Sequence, residues 1–481
     1  MFLGYTMKKY LLLGHISLFL LMFLAVVYAD VRVLFTDAAY QVFYDINHPG
    51  VLINDSRYSM FLTQILPWLA VHLHLPLKTI IVVYSLSFIL VGYACFFITA
   101  YTMRQPKAAV AMLFVFFAIG GTFFHCISES FQLMFYAPML FAWMCVDAPH
   151  AGARRFAYYL ILALLVALNF FIYPMSTFYV LFAVGFRLLK EGRPKVDVSA
   201  LVTAAILLLY IVLYWIIGPS GHDSQFVPSY DVITYSIGHF FSLGSFQTFL
   251  VLFPRLYFVP TLLLVVLAIF YIRRHQWWKL AFVVAYCFLF VIAASIIYQT
   301  GDSRIARERY FMPLFFFVAI PFLVDLFPCL SRMQERITFI IFMLLLAYSF
   351  GRILHYAHRF QPRLQAIEQV SFMARQQGQH KILVIRSLAE DVFPDDAWDL
   401  SLSSMLLTAQ QGPENTVTIY KEEDGFNPAD TALYHNPDVY LAVPWWKQWN
   451  VADLNPRYFA LPRQGYKQLV RADDSLALSY L

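Results

Sequence analysis

The chain has 481 residues, of which 60% are hydrophobic and only 13% charged. That apolar share, with a mean hydropathy of +0.64, excludes an ordinary soluble domain and leaves length for many membrane crossings. The net charge of +5 calls for no nucleic acid, because cytoplasmic loops of membrane chains are basic; a lipid bilayer is the expected surrounding.

Apolar runs that can cross a bilayer need about 17–25 residues. They are expected near 10–29, 78–101, 108–124, 131–147, 156–173, 175–189, 198–217, 254–272, 280–298, 310–328 and 337–356, about eleven in all. Only Tyr173-Pro174 divides the fifth from the sixth. With Lys8 and Lys9 inside, the alternate loops MRQPK, DAPHAGARR, RLLKEGRPK, IRRHQWWK and LSRMQER all carry Lys or Arg. The positive-inside rule then predicts a cytoplasmic N-terminus and an extracytoplasmic C-terminus. Val27-Tyr28-Ala29 has the spacing of a cleavage site, but the apolar run before it is long for a signal peptide, which favours an uncleaved first helix. The five cysteines (Cys95, Cys126, Cys145, Cys287 and Cys329) lie in or beside apolar runs without metal-type spacing, so packing explains them.

The first external loop, 30–77, gathers acids in a chain that has few. In FTDAAYQVFYDINHPG a helix over 36–47 puts Asp37, Tyr40, Gln41, Tyr44 and His48 on one face. Phe35, Val42, Phe43 and Ile46 fall mostly on the other, toward the membrane or neighbouring helices. Thr36 can cap this helix and His48-Pro49-Gly50 ends it. A second helix is predicted from Asp55 or Ser56, kinked at Pro67, with Arg57 at its start. Other outward charges are His125 and Glu129 in FHCISESFQ, Arg255 in FPRLYF, and Asp302, Arg304, Arg307, Glu308 and Arg309 in GDSRIARERYFMPL.

Beyond about Phe360 the composition turns polar, with strand-like runs KILVIRS, TVTIYK and DVYLAVPWW. The expected architecture is therefore an all-α polytopic bundle, 1–359, followed by a small extracytoplasmic α/β domain, 360–481. Neither part contains a nucleotide loop, a metal cluster or a repeat.

External arginines with an acid nearby suit one chemistry. A sugar on a polyprenyl phosphate, presented at the outer leaflet, leaves behind a phosphate that bidentate arginines can neutralise. A carboxylate can take the proton of an acceptor hydroxyl as it attacks. Bland alternatives stand beside this: Asp37 as a helix cap, Asp45 and Asp55 as solvated or capping acids, arginines that snorkel to headgroups, and Trp445, Trp446 and Trp449 as packing rather than sugar-stacking groups. Rival functions are a lipid-linked-glycan flippase or other transporter, an O-antigen polymerase or ligase, and a non-catalytic envelope component. Coupled carriers bury acids mid-span, where this sequence offers little beyond Asn169 and His15.

The order of parts resembles the GT-C class of membrane glycosyltransferases, which includes the protein O-mannosyltransferases and the bacterial aminoarabinose transferases. The resemblance rests on the first span, the acidic loop of two juxtamembrane helices, the stretch RYFMPL (Arg309 to Leu314) before a late span, and the C-terminal external domain. It implies an inverting transfer from a polyprenyl-phosphate sugar to a glycan, lipid or protein acceptor, at the outer face of a plasma or bacterial inner membrane. TDAAY keeps the first family acid, Asp37, as base, and has Ala38 where a second would stand. No cofactor is expected beyond a divalent metal ion, the absent second acid speaking against the metal, and Asp30 is a rival base. Arg57, Arg304, Arg307 and Arg309 would hold the donor phosphate. Tyr40, Gln41, Tyr44, His125 and Glu129 would contact sugar or acceptor.

Overall fold

The computed structural model describes residues 2–48, 50–53, 57–173, 175–189, 194–218, 229–299, 308–394, 398–422, 431–443, 446–472 and 475–479. Eight of its helices are long and apolar enough to cross a membrane: Met7–Val27, Leu77–Thr102, Gly152–Phe170, Val198–Ile217, Gly244–Arg273, Trp277–Ile297, Glu308–Cys329 and Arg332–Gln376. Each coincides with an expected run. The other three expected runs are helical over shorter lengths, at Pro106–Ala118, Glu129–Met144 and Ser176–Leu188. The first of these stops early because Gly120 and Gly121 lead into a tight 3-10 turn, Gly121–Phe124.

Burial separates centre from rim. Glu129–Met144 is buried along its whole length except Trp143, as an all-round apolar helix in the middle of a bundle must be. Val198–Ile217 lies at the rim, where Ile216 and Ile217 are 75% and 82% exposed; such bare apolar surface needs lipid to cover it. Small residues bring helices close. A Cβ on Gly185 would meet Phe282 at 2.5 Å, so a larger residue there would push the two helices apart.

The helix Arg332–Gln376 opens with a capping box between Ser331 and Gln334. At about 1.5 Å per residue its 45 residues exceed any bilayer. It therefore projects beyond the other helices, and the change of composition at Phe360 falls inside it rather than at its end. The C-terminal unit is built on this projection. A four-stranded sheet has the order β2-β1-β5-β6, formed by β1 (Lys381–Ile385), β2 (Thr418–Glu422), β5 (Lys467–Ala472) and β6 (Ser475–Ser479). Strands β2 and β5 run parallel to β1, and β6 returns antiparallel. The hairpin of β3 (Val439–Val443) and β4 (Trp446–Asn450) stands apart. The apolar runs predicted only three strands; β4, β5 and β6 are half-polar and lacked that signal.

The first loop forms α1–α3 with the opening span: α1 (Phe2–Val27), α2 (Ala29–Val33) and α3 (Thr36–Asn47). A fourth helix, α4 (Phe61–His72), contains Pro67 as expected. The apolar side of α3 turns toward the C-terminal unit, not the bilayer: the Phe43 ring lies 5.2 Å from Phe459 and 5.8 Å from Trp449. Asn455 clamps the end of α3 through Asn47 Oδ1 (2.7 Å) and the Ile46 carbonyl (2.9 Å). Trp449 thus serves packing.

Candidate functional site

Three side chains fix the backbone that leads to Asp37. Arg32 in α2 is buried and donates to the carbonyls of Phe123 and Ser85, both at 2.9 Å. Arg363, from the long helix, donates to the Leu34 carbonyl at 2.8 Å and reaches both oxygens of Asp399 at 3.2 Å. Ser403 also donates to the Leu34 carbonyl, at 3.1 Å. The chain then turns sharply: Thr36 has φ of 47°, a left-handed conformation that a β-branched residue enters only at a cost of about 1–3 kcal/mol. Phe35 rather than Thr36 is the N-cap, since Thr36 is spent on that turn.

Asp37 follows at once. Its side chain is solvent-accessible, yet the surrounding protein strips enough water to push its carboxyl above the usual carboxylate range. Arg309 pulls it down, Glu129 pushes it up, Arg57 pulls down and Asp399 pushes up. An exposed residue whose carboxyl is still shifted upward by desolvation stands close against other protein groups rather than free in solvent. Asp37 and Arg309, 272 positions apart, thus feel each other's charge in one electrostatic pocket that also includes Glu129 and Arg57.

Glu129 is the hub of that pocket. It pairs with Arg57, and its other oxygen lies 3.8 Å from Arg309 Nη1. It begins the helix Glu129–Met144, where a carboxylate is favoured by the helix dipole. The Arg57 guanidinium sits 5.3 Å over the ring of Tyr173. The Tyr173 hydroxyl bonds that of Tyr298, and Tyr298 stacks on Tyr310 at 3.7 Å. Desolvation, then the charge of Glu129, pushes the Tyr173 phenol up to about 12, so it remains protonated. Tyr173, Tyr298 and Tyr310 carried no charge pattern in the sequence and were missed; the adjacency of Tyr310 to Arg309 was the one available hint.

Arg309 is held in place by its neighbour. Glu308 is buried and receives the backbone N–H groups of Gly120 (3.1 Å), Gly121 (3.2 Å) and Thr122 (2.8 Å), the Thr122 hydroxyl (2.7 Å) and Arg352 Nη2 (3.1 Å). A Cβ on Gly120 would come within 2.9 Å of Glu308 Oε1 and 2.8 Å of Arg352 Nη2, so glycine is required there. The Gly-Gly pair was the visible trace of this anchor.

The other expected residues separate from the cluster. His125 is buried between Phe35 (4.9 Å) and Phe360 (6.3 Å), and burial, with the charge of Arg309, holds its imidazole well below the usual range. Gln41 faces inward, not toward a cavity: its Oε1 accepts from Tyr84 (2.6 Å) and Gln64 (3.3 Å), which satisfies an amide that the crowded side of α3 buries. Tyr40 approaches Trp398 at 6.2 Å, while Tyr44 stacks on His48 at 4.0 Å. Asp30 accepts from Gln410 at 3.0 Å, and Asp45 is buried, accepting from Leu52 N at 3.1 Å. Arg304, Arg307, Asp302, Asp55 and Trp445 lie outside the described residues. A further charged set unforeseen in the sequence sits at the opposite end of the bundle, where Asp325 accepts from Lys279 and Tyr271, each at 2.7 Å.

A cluster with one carboxylate of raised proton affinity and two arginines bridged by a second carboxylate can bind an anion and take up a proton beside it. No protein-family model matches the chain, and comparison with curated proteins and with solved structures finds no match.

Proposed function

We propose that the chain is an inverting membrane glycosyltransferase of GT-C type, taking a sugar from a polyprenyl-phosphate donor. The observation that carries this reading is the pocket in which Asp37 shares its electrostatic surroundings with Arg57 and Arg309 through Glu129. The phosphate of the donor binds between the two guanidinium groups. An acceptor hydroxyl loses its proton to Asp37 while its oxygen attacks the anomeric carbon. The bond from that carbon to the phosphate oxygen breaks on the opposite face, and the electron pair leaves with the phosphate, whose growing charge the arginines neutralise. A carboxylate of raised proton affinity is a better base near neutral pH than one with the ordinary value.

In this reading the chain crosses the membrane about eleven times, with the three shorter helices completing the count. The basic loops lie in the cytoplasm, and the pocket and C-terminal unit lie on the outer face of a plasma or bacterial inner membrane. The sugar and the acceptor, whether glycan, lipid or protein, are open. Transfer from radiolabelled polyprenyl-phosphate sugars by purified protein tests the proposal. Asp37→Asn is expected to lower the rate by roughly 10²–10⁴-fold, the usual worth of a positioned general base. Equal rates for the two proteins would remove Asp37 from the mechanism, and no transfer from any such donor by the wild type would overturn the function.

A further inference from the structure

The C-terminal unit contains a second recess, independent of the Asp37 pocket. Strand β1 leads by the helix Arg386–Val392 toward β2 on one side, whereas β5, on the other side of β1, leads into β6. The chain therefore departs in opposite directions from the carboxyl ends of two adjacent parallel strands. In open α/β sheets this divergence leaves a crevice in which ligands bind. Here the crevice is roofed by the projecting long helix and has a volume of about 370 Å³, within the range of small-molecule sites.

Its lining identifies the ligand chemistry. Gln369 comes from the long helix, Asp391 and Val392 from the helix after β1, and Arg471, Ser475 and Leu476 from the β5–β6 hairpin. Arg471 Nη1 lies 3.8 Å from Asp391 Oδ2, with both side chains more than half exposed. A paired cation and anion offer planar donors and acceptors, and Gln369 adds an amide that does both. Val392 and Leu476 supply an apolar wall. Such a site suits a neutral molecule with vicinal hydroxyls on one side and C–H groups on the other. An anion would have to compete with Asp391 for Arg471.

We propose that this crevice is a binding site for a neutral saccharide. It does not draw on the transfer reaction above, because it shares no residue with the Asp37 pocket. Saturation-transfer NMR on the full-length protein in nanodiscs, with the methyl glycosides of glucose, galactose, mannose and N-acetylglucosamine as probes, tests it. At least one glycoside is expected to receive magnetisation. Its signal should fall roughly fivefold or more in Gln369→Ala/Arg471→Ala, as loss of one or two hydrogen bonds implies. Leu476→Trp, which fills the crevice, should abolish it without relying on polar groups, while Asp37→Asn should leave it intact. An unchanged unfolding temperature in each variant shows that the unit remains folded. Absence of any signal overturns the proposal, as does a signal that survives both crevice variants or displacement of the glycoside by inorganic phosphate. A signal lost in Asp37→Asn instead would put the sugar in the other pocket and overturn it equally.

Discussion

Arg309 Nη1 lies 3.8 Å from Glu129 Oε2, and through that carboxylate it joins Arg57 and Asp37 in one pocket. Two charges of each sign thereby lie within one another's electrostatic influence. A change to any of the other three alters the proton affinity of Asp37.

The pH dependence of sugar transfer follows from these signs. Asp37 must be ionised to act as a base, so the acidic limb of the rate profile tracks its proton affinity. Glu129 raises that affinity and Arg309 lowers it. Glu129→Gln is therefore expected to move the acidic limb to lower pH, and Arg309→Gln to higher pH. Rate profiles of the two variants measured against the wild type check this; shifts in the same direction would break the link between the three residues.

Glu308 holds five donors in a buried site, and Gly120 has no room for a side chain. Gly120→Ala is expected to cost about 1–3 kcal/mol of stability, as overpacking does. It should also lower transfer, because Arg309 is carried by the residue that shifts. Thermal unfolding and transfer assays on one preparation read both effects, and an unaltered protein would show that the anchor is slack.

Arg363 and Asp399 form a buried pair that also grips the Leu34 carbonyl, two residues before the Thr36 turn. Removing one partner leaves a buried charge alone. Arg363→Met or Asp399→Leu is expected to cost about 3–5 kcal/mol. The double variant should lose less than the sum of the singles, since the partners act together. A double-mutant cycle by chemical denaturation checks this, with simple additivity as the contrary result.

Asp45 gives a stability effect outside the proposed chemistry. Burial pushes its carboxyl up to about 7, so the folded protein favours the protonated form while the unfolded chain ionises near the ordinary value. Between those two values stability falls as pH rises, and the penalty is complete above about 7. Asp45→Asn is expected to raise the unfolding temperature at pH above 7 by roughly a few degrees, in line with the usual relation of free energy to melting. The gain should fade as pH drops toward the ordinary carboxylate range. Differential scanning of both proteins across pH decides it; a constant difference would mean that Asp45 is ionised in the fold.

The sequence carried the long spans well because apolar runs of membrane length leave few alternatives. Asp37 and Arg309 stood out in the sequence because charges are scarce in this chain, and the fold brings their charges within reach of each other. Gln41 was misplaced because helical spacing groups it with Asp37 and Tyr40, although packing against Tyr84 and Gln64 turns it inward. The tyrosines at 173 and 298 were invisible, and Tyr310 was marked only by its neighbour Arg309: among 31 tyrosines little local separates those in the pocket from those in the core. The Glu308 anchor depends largely on backbone N–H groups, of which the Gly120-Gly121 pair was the only trace in the sequence.

Asn455, Trp449 and Asp399 hold α2 and α3 from the far end of the polypeptide. A nascent chain that has emerged only through Gln376 possesses Asp37 and both arginines but lacks the surface against which the first loop settles. Until residues 399–459 are made, the apolar side of α3 has no Phe459 or Trp449 to pack on and Arg363 has no Asp399, so the first loop settles late in synthesis.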